Sequence, residues 1–163
     1  MTRRALAALA ALLLALPAGA LARGPGEGAD RREAERGRVP SAQLAAAGSG
    51  TMTITGRLAI AGHIPGGGTV TIQDKAGDAV ARLAGERVRL RRGTARVRDA
   101  SGLLFVAGSR LTVRVTGARL SFSIAGHGRA RLRGKGVYRL NGGPERGWPR
   151  GWIALAPAGR RGR

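Results

Sequence analysis

From residue 51 to about residue 140, apolar and polar residues alternate along the chain with a period of two. The clearest stretches are residues 51–60, 111–116 and 119–124; in the first, Met52 and Ile54 are each flanked by threonines. Successive side chains of a β-strand point to opposite faces, so this period is typical of strands with one buried and one solvated face. The sequence therefore predicts a domain built of β-strands.

Glycines and polar pairs separate the alternating stretches at short intervals, and no helical periodicity lies between them. The fold class we predict is all-β, as a single antiparallel β-sandwich or small barrel of about 8–10 short strands. A β-solenoid is the alternative, but it requires a fixed-period repeat, and none is present. A membrane-spanning barrel is not expected, because outward positions carry arginine and aromatic girdles are missing.

The chain has 163 residues and no cysteine, which leaves room for one domain and excludes disulfides and thiolate metal sites. It contains only two Trp, one Tyr and two Phe. Its core must therefore be made of Ala, Val, Leu and Ile, and its stability must come from packing and sheet hydrogen bonds.

Residues 1–22 are typical of a secretory signal. Two arginines precede an apolar stretch over residues 5–16, and Ala20-Leu21-Ala22 is a small-x-small cleavage motif. We therefore expect cleavage after Ala22 and a secreted, extracytoplasmic protein of the periplasm or cell envelope. An uncleaved anchor is not favoured, because the apolar run is short for a hydrocarbon core of about 30 Å. Arg3-Arg4 also fit a loose twin-arginine pattern, so the export route stays open.

Residues 23–50 are rich in Gly, Pro, Ala and mixed charge, which predicts a flexible linker with a short helix around residues 42–47. The β-rich domain is expected over residues 51–156. It includes a closing segment that contains Trp148 and Trp152. Residues 157–163 are predicted to be a basic disordered tail.

Residues 133–144 read Arg-Gly-Lys-Gly-Val-Tyr-Arg-Leu-Asn-Gly-Gly-Pro, and Trp148 follows shortly after. With the signal, the linker and the Arg- and Gly-rich alternating strands, this plan resembles uncharacterised exported β-rich proteins of high-GC bacteria. The resemblance covers about the last third of the chain and is most specific at residues 141–144. It implies no activity and no site residues.

No stretch of the sequence has the pattern of a catalytic or cofactor site. The serines do not occur in a Gly-x-Ser-x-Gly elbow, and the glycine-rich stretches at 66–68 and 134–136 lack the rest of a nucleotide-binding motif, which favours hairpin turns. His63 and His127 could hold a metal only with Asp74 or Asp78, and their spacing is not that of a metal site. We expect no metal, no cofactor and no enzymatic activity; a hydrolase-type enzyme is the third hypothesis.

Arginine dominates the charge of the chain. There are 29 basic and 9 acidic residues, and only two of the basic ones are lysine. A GC-rich genome favours arginine at tolerant surface positions, so part of this charge is explained by codon bias, and an ordinary solvated surface is the simplest interpretation. However, arginines recur at every second position of the predicted strands, where they stand about 7 Å apart on one face. The candidate polyanion-binding residues are Arg87, Arg89, Arg91, Arg96, Arg98, Arg114, Arg129, Arg131 and Arg133.

If neighbouring strands align, these arginines form a guanidinium lattice for phosphate or carboxylate groups. We therefore predict an exported, non-enzymatic β-domain that associates with anionic envelope polymers or lipid head groups. Specific nucleic-acid binding is not favoured, because aromatic residues for base stacking are missing. The alternative is a structural or assembly module that binds another envelope protein through a sheet edge or through the Trp148 and Trp152 segment.

Overall fold

The computed structural model describes residues 41–157, and this part of the chain is all-β, as predicted. The strands are β1 (Ala42–Asp74), β2 (Val80–Leu83), β3 (Glu86–Arg87), β4 (Thr94–Leu140), β5 (Arg146–Gly147) and β6 (Trp152–Leu155). All pairings are antiparallel and belong to a single sheet that is not closed into a barrel. Within the described range, no helix has the length and apolar character that a membrane span requires.

Two long, bent strands replace most of the short strands that we expected. β1 has 33 residues and β4 has 47. Along its length β1 has neighbours in β4 on both sides: residues 50–56, for example, pair with 111–117 on one side and with 128–134 on the other. The intervals between glycines that we interpreted as separate strands are therefore segments of continuous strands.

The register divides these segments into two groups that form two layers. The first layer contains residues 42–48, 58–64, 103–108, 120–126 and 136–140, with β2, β3 and β5 at its margins. The second layer contains residues 50–56, 68–74, 94–97, 111–117 and 128–134, with β6 at one edge. The sheet thus doubles over into a sandwich.

Paired glycines allow both long strands to pass between the layers at the same point. Gly56 of β1 lies opposite Gly128 of β4, with φ of 147° and 152°. A Cβ at Gly56 would overlap the carbonyl oxygen of His127, and a Cβ at Gly128 would overlap that of Thr55. Because only glycine tolerates this conformation and this closeness, the two strands bend together and stay hydrogen-bonded.

One hydrophobic core lies between the layers. The alternate residues expected to be buried, such as Met52, Ile54 and Val113, have an exposed fraction of 0%. They belong to a single apolar cluster that runs from Ala42 to Leu155. No polar or charged residue of the described range is buried as a whole. A chain that starts at Arg23 therefore contains every residue of this core.

The predicted boundary at residue 50 and the predicted helix at 42–47 are wrong. β1 begins at Ala42, and Ala42, Leu44 and Ala46 are buried in the core. Strand pairing on both sides of residues 44–48 overrides the helix propensity of alanine. The domain therefore begins at Ala42. The expected signal, residues 23–40 of the expected linker and residues 158–163 of the tail lie outside the described residues.

The segment after β4 adds to both layers. β5 pairs with residues 137–138, and β6 pairs with residues 128–131. Trp148, between them, is half-buried over the backbone of Gly48 and Gly136, and its Nε1 donates a hydrogen bond to the carbonyl oxygen of Val137 at 3.1 Å. Trp148 therefore fixes this segment on a glycine bend.

A substitution at a glycine bend tests this account of the fold. We expect Gly56→Ala to lower the free energy of unfolding by about 3 kcal/mol or more, because it combines backbone strain with a steric overlap. The melting temperature should fall by about 10 °C or more. Gly66→Ala is the matched control, since its Cβ would meet nothing within 4 Å. Equal melting temperatures for the two variants would contradict the role of the bend.

Candidate anion-binding face

A row of alternating arginine and threonine crosses the outward side of the second layer. Arg131 lies directly opposite Thr53, Thr53 opposite Arg114, Arg114 opposite Thr71, and Thr71 opposite Arg96. Directly opposed residues project from the same side of a sheet. Neighbouring strands are about 4.8 Å apart, so the Cα atoms of successive arginines in this Arg–Thr row are about 10 Å apart.

Two parallel rows flank the Arg–Thr row. In one, Arg129 is opposite Thr55, which is opposite Thr112; in the other, Arg133 is opposite Thr51, which is opposite Thr116. The hydroxyl oxygens of Thr51 and Thr116 are 3.1 Å apart, and those of Thr55 and Thr112 are 3.4 Å apart. The three rows together form the Arg–Thr face: Arg96, Arg114, Arg129, Arg131, Arg133, Thr51, Thr53, Thr55, Thr71, Thr112 and Thr116.

Across neighbouring strands, the threonines keep the positive charges apart. Like charges directly opposite each other destabilise a sheet, and every opposed pair on the Arg–Thr face includes at most one arginine. The hydroxyl groups between the arginines can donate and accept hydrogen bonds. The middle of the face is a shallow concavity, so its guanidinium and hydroxyl groups are open to carboxylate, sulfate or phosphate groups from outside.

Trp152 extends the Arg–Thr row at one end. It lies on β6 directly opposite Arg131. Its side chain points outward, because the alternate residues Ile153 and Leu155 point into the core. The guanidinium carbons of Arg129 and Arg131 are 4.6 and 5.8 Å from the centre of its ring, within cation–π range. The Nε of Arg131 is buried, and no hydrogen-bond acceptor of residues 41–157 reaches it.

The structure separates the nine predicted arginines into two groups. Arg96, Arg114, Arg129, Arg131 and Arg133 lie on the Arg–Thr face, and Arg98 is exposed two residues beyond Arg96. Arg87, Arg89 and Arg91 lie elsewhere, in a segment that forms a strand only at its start. They line a second concavity against the beginning of β4, which Arg96 also borders.

The two histidines are far apart in the sheet. His63 pairs with Ser121, whereas His127 pairs with Arg57 at a bend, so six residues, or about 20 Å of extended chain, separate the two positions. Among residues 41–157 no three His, Cys, Asp or Glu side chains are grouped to hold a metal ion.

Asp74 and Asp78 hold the loop between β1 and β2 in place. The Asp74 carboxylate accepts hydrogen bonds from the amides of Ala79 and Ala76, at 2.8 and 2.9 Å. The Asp78 carboxylate accepts from the amide of Ser109, at 3.0 and 3.1 Å. The Ala79 amide lowers the pKa of Asp74, and hydrogen bonds from Ser109 lower the pKa of Asp78. These carboxylates are structural.

Comparisons with protein-family models, with curated proteins and with solved structures found no match. Sequence reasoning selected the arginines of the Arg–Thr face but missed its threonines and the stacking on Trp152. The available signal was the repeated outward threonine at 51–55, 69–71 and 112–116. This threonine pattern could not be connected with the arginines from the sequence, because only the strand register places the two sets of residues side by side.

Acid should loosen the loop held by Asp74 and Asp78. A carboxylate whose folded-state pKa is lowered stabilises the fold above the unfolded pKa, about 3.8, and this contribution is lost as the pH falls through the lower folded value. We expect the melting temperature of the Asp74→Asn/Asp78→Asn variant to fall less steeply below about pH 4 than that of the wild type. Glu86→Gln, which removes an exposed carboxylate elsewhere, should follow the wild type. Parallel curves for all three proteins would contradict this role.

Proposed function

We propose that this chain is an exported, non-enzymatic protein that binds linear anionic polymers of the cell envelope through the Arg–Thr face. The observation that carries the proposal is the concentration of threonine and of the central-strand arginines on the outward side of the second layer; the arginines of the first layer lie at its margins. Apart from Gln43 and His63 near the strand ends, the outward residues of the segments 42–48, 58–64 and 120–126 of the first layer are instead small: Ala45, Ala47, Ala59, Ala61, Ser121, Ser123 and Ala125.

This segregation argues against codon bias as the full explanation of the arginines. β1 and β4 pass through both layers, so the same chain alternates between the two kinds of surface at its glycine bends. Along β4 the outward residues change from Arg114 in the second layer to Ser121 and Ser123 in the first, and to Arg129 and Arg131 back in the second. A genomic preference for arginine would act on the central strands of both layers alike.

The charges of the Arg–Thr face are also not balanced within the domain. Among the described residues the single ion pair joins Arg139 to Glu145, an exposed pair outside this face. The guanidinium group of Arg131 stacks on Trp152, and it has no ion-pair partner among residues 41–157. A cation held in this way is available to an external anion.

An extended polymer fits the Arg–Thr row better than a compact ligand does. The row is open to solvent and has an arginine on every second strand. Successive arginines are therefore about 10 Å apart at the backbone, and a threonine hydroxyl group lies between them. In an acidic polysaccharide with a charge on every second sugar, charged and neutral rings alternate in the same way. The Trp152 ring, exposed at the end of the row, offers a flat apolar surface on which a sugar ring can stack.

The alternative, binding of another envelope protein through the Trp148 and Trp152 segment, has less support. Trp148 packs on the glycine bend of its own domain, and Trp152 contacts two arginines of the Arg–Thr face. The edge strands β3, β5 and β6 have only two to four residues each, which limits pairing with a foreign strand.

Removal of the Arg–Thr row tests the proposal. We expect residues 23–163 to be retained on isolated cell envelope and on immobilised hyaluronate, with retention falling steeply as ionic strength rises. The Arg96→Gln/Arg114→Gln/Arg131→Gln variant should lose affinity about tenfold, since exposed ion pairs contribute on the order of 0.5 kcal/mol each.

The control is Arg110→Gln/Arg119→Gln/Arg150→Gln, which removes the same charge from exposed positions outside the Arg–Thr face. It should keep most of the wild-type affinity. Equal losses in the two variants would show that net charge alone causes retention, and salt-insensitive retention would favour the protein-partner alternative.

A further inference from the structure

Large apolar side chains are exposed on the first layer, on the side away from the Arg–Thr face. Four large apolar residues of the described chain are exposed: Leu103 at 63%, Val80 at 46%, Trp152 at 44% and Phe105 at 43%. Trp152 belongs to the second layer. The other three lie together on β2 and the neighbouring segment of β4, and we name them the apolar patch.

Strand register places the apolar patch on one continuous surface. Val80 is directly opposite Ala107, and Phe105 is directly opposite Arg82 on β2 and Ala61 on β1. Leu103 and Phe105 are two residues apart on one strand, so both project outward, while Leu104 and Val106 fill the core. On the β1 side, Phe105 faces the small Ala61, whereas Leu103 faces the exposed His63.

Two arginines border the apolar patch, and neither forms an ion pair within the described part of the chain. Arg82 lies directly opposite Arg87, and both are exposed. This opposed pair of like charges contrasts with the Arg–Thr face, where threonine separates the arginines. The single ion pair of the described residues is Arg139 with Glu145, so neither Arg82 nor Arg87 forms an ion pair with the neighbouring Glu86. An opposed pair of arginines disfavours the sheet unless an external anion compensates it.

We infer that the apolar patch docks on an anionic lipid bilayer. Leu103, Phe105 and Val80 enter the boundary between head groups and acyl chains, while Arg82 and Arg87 contact lipid phosphates. This combination of protruding apolar side chains and neighbouring cations is what holds peripheral proteins at anionic membrane surfaces.

Charge favours the bilayer over a second copy of this chain. A symmetric dimer through the apolar patch would bring Arg82 and Arg87 of one copy towards the same arginines of the other. An anionic surface neutralises them, with about 1 kcal/mol of attraction for each arginine near the surface. The inference does not depend on the proposed polymer binding, because the two surfaces lie on opposite layers.

Vesicle binding tests the inference. Residues 23–163 should co-sediment with phosphatidylcholine vesicles that contain phosphatidylglycerol, and only weakly with pure phosphatidylcholine. We expect Leu103→Ser/Phe105→Ser to lower the partition coefficient at least tenfold, and Arg82→Gln/Arg87→Gln to lower it about tenfold on the anionic vesicles. All four positions are exposed or at the sheet surface, and the melting temperature of each variant checks that the fold is kept.

Insertion can also be followed directly. In the Phe105→Trp variant, lipid-attached bromine should quench more fluorescence than in the wild type, whose Trp148 and Trp152 lie outside the apolar patch. Equal quenching in the two proteins would contradict insertion of this patch.

The Arg96→Gln/Arg114→Gln/Arg131→Gln variant separates this inference from the proposed function. It should keep its vesicle binding, and Leu103→Ser/Phe105→Ser should keep its hyaluronate retention. If vesicle binding were lost in the Arg96→Gln/Arg114→Gln/Arg131→Gln variant and kept in Leu103→Ser/Phe105→Ser, the inference would be overturned, because adsorption would then occur through the Arg–Thr face. A wild-type dimer that Leu103→Ser/Phe105→Ser converts to a monomer would also overturn it, in favour of a second copy.

Discussion

The paired glycine bends determine the architecture of this domain. At Gly56 and Gly128, and again at Gly50 and Gly134, two neighbouring strands turn at the same register position, where a side chain on either strand would overlap the other backbone. The strands therefore change layer without losing their hydrogen bonds. The domain has no cysteine and few aromatic residues, and its two layers enclose a core made mainly of Ala, Val, Leu and Ile.

The same bends give the domain two different surfaces. Each long strand shows one set of outward residues in the first layer and another in the second, so chemistry is sorted by layer even though the chain passes repeatedly between them. Arginine and threonine collect on the second layer, where threonine separates the charges. Small residues collect on the first, with three large apolar side chains and an opposed arginine pair at one side.

Much of this could be predicted from alternation alone, and the rest depended on long-range pairing. The period of two correctly placed Met52 and Ile54 inside, and it put Arg129, Arg131 and Arg133 on a common face. It failed at residues 42–47, where helix-forming alanines pair as a strand. It also could not place Thr53 beside Arg114 and Arg131, because register joins residues more than sixty positions apart and is set by the bends rather than by local composition.

The central claim is that the Arg–Thr row binds an extended polyanion, and NMR mapping tests it most directly. Titration of isotopically labelled residues 23–163 with hyaluronate oligosaccharides should shift the guanidinium signals of Arg96, Arg114 and Arg131 and the indole signal of Trp152. The signals of Arg87, Arg89 and Arg91 should change much less. Shifts spread evenly over all exposed arginines would contradict the claim and leave the charge of this chain without a specific site.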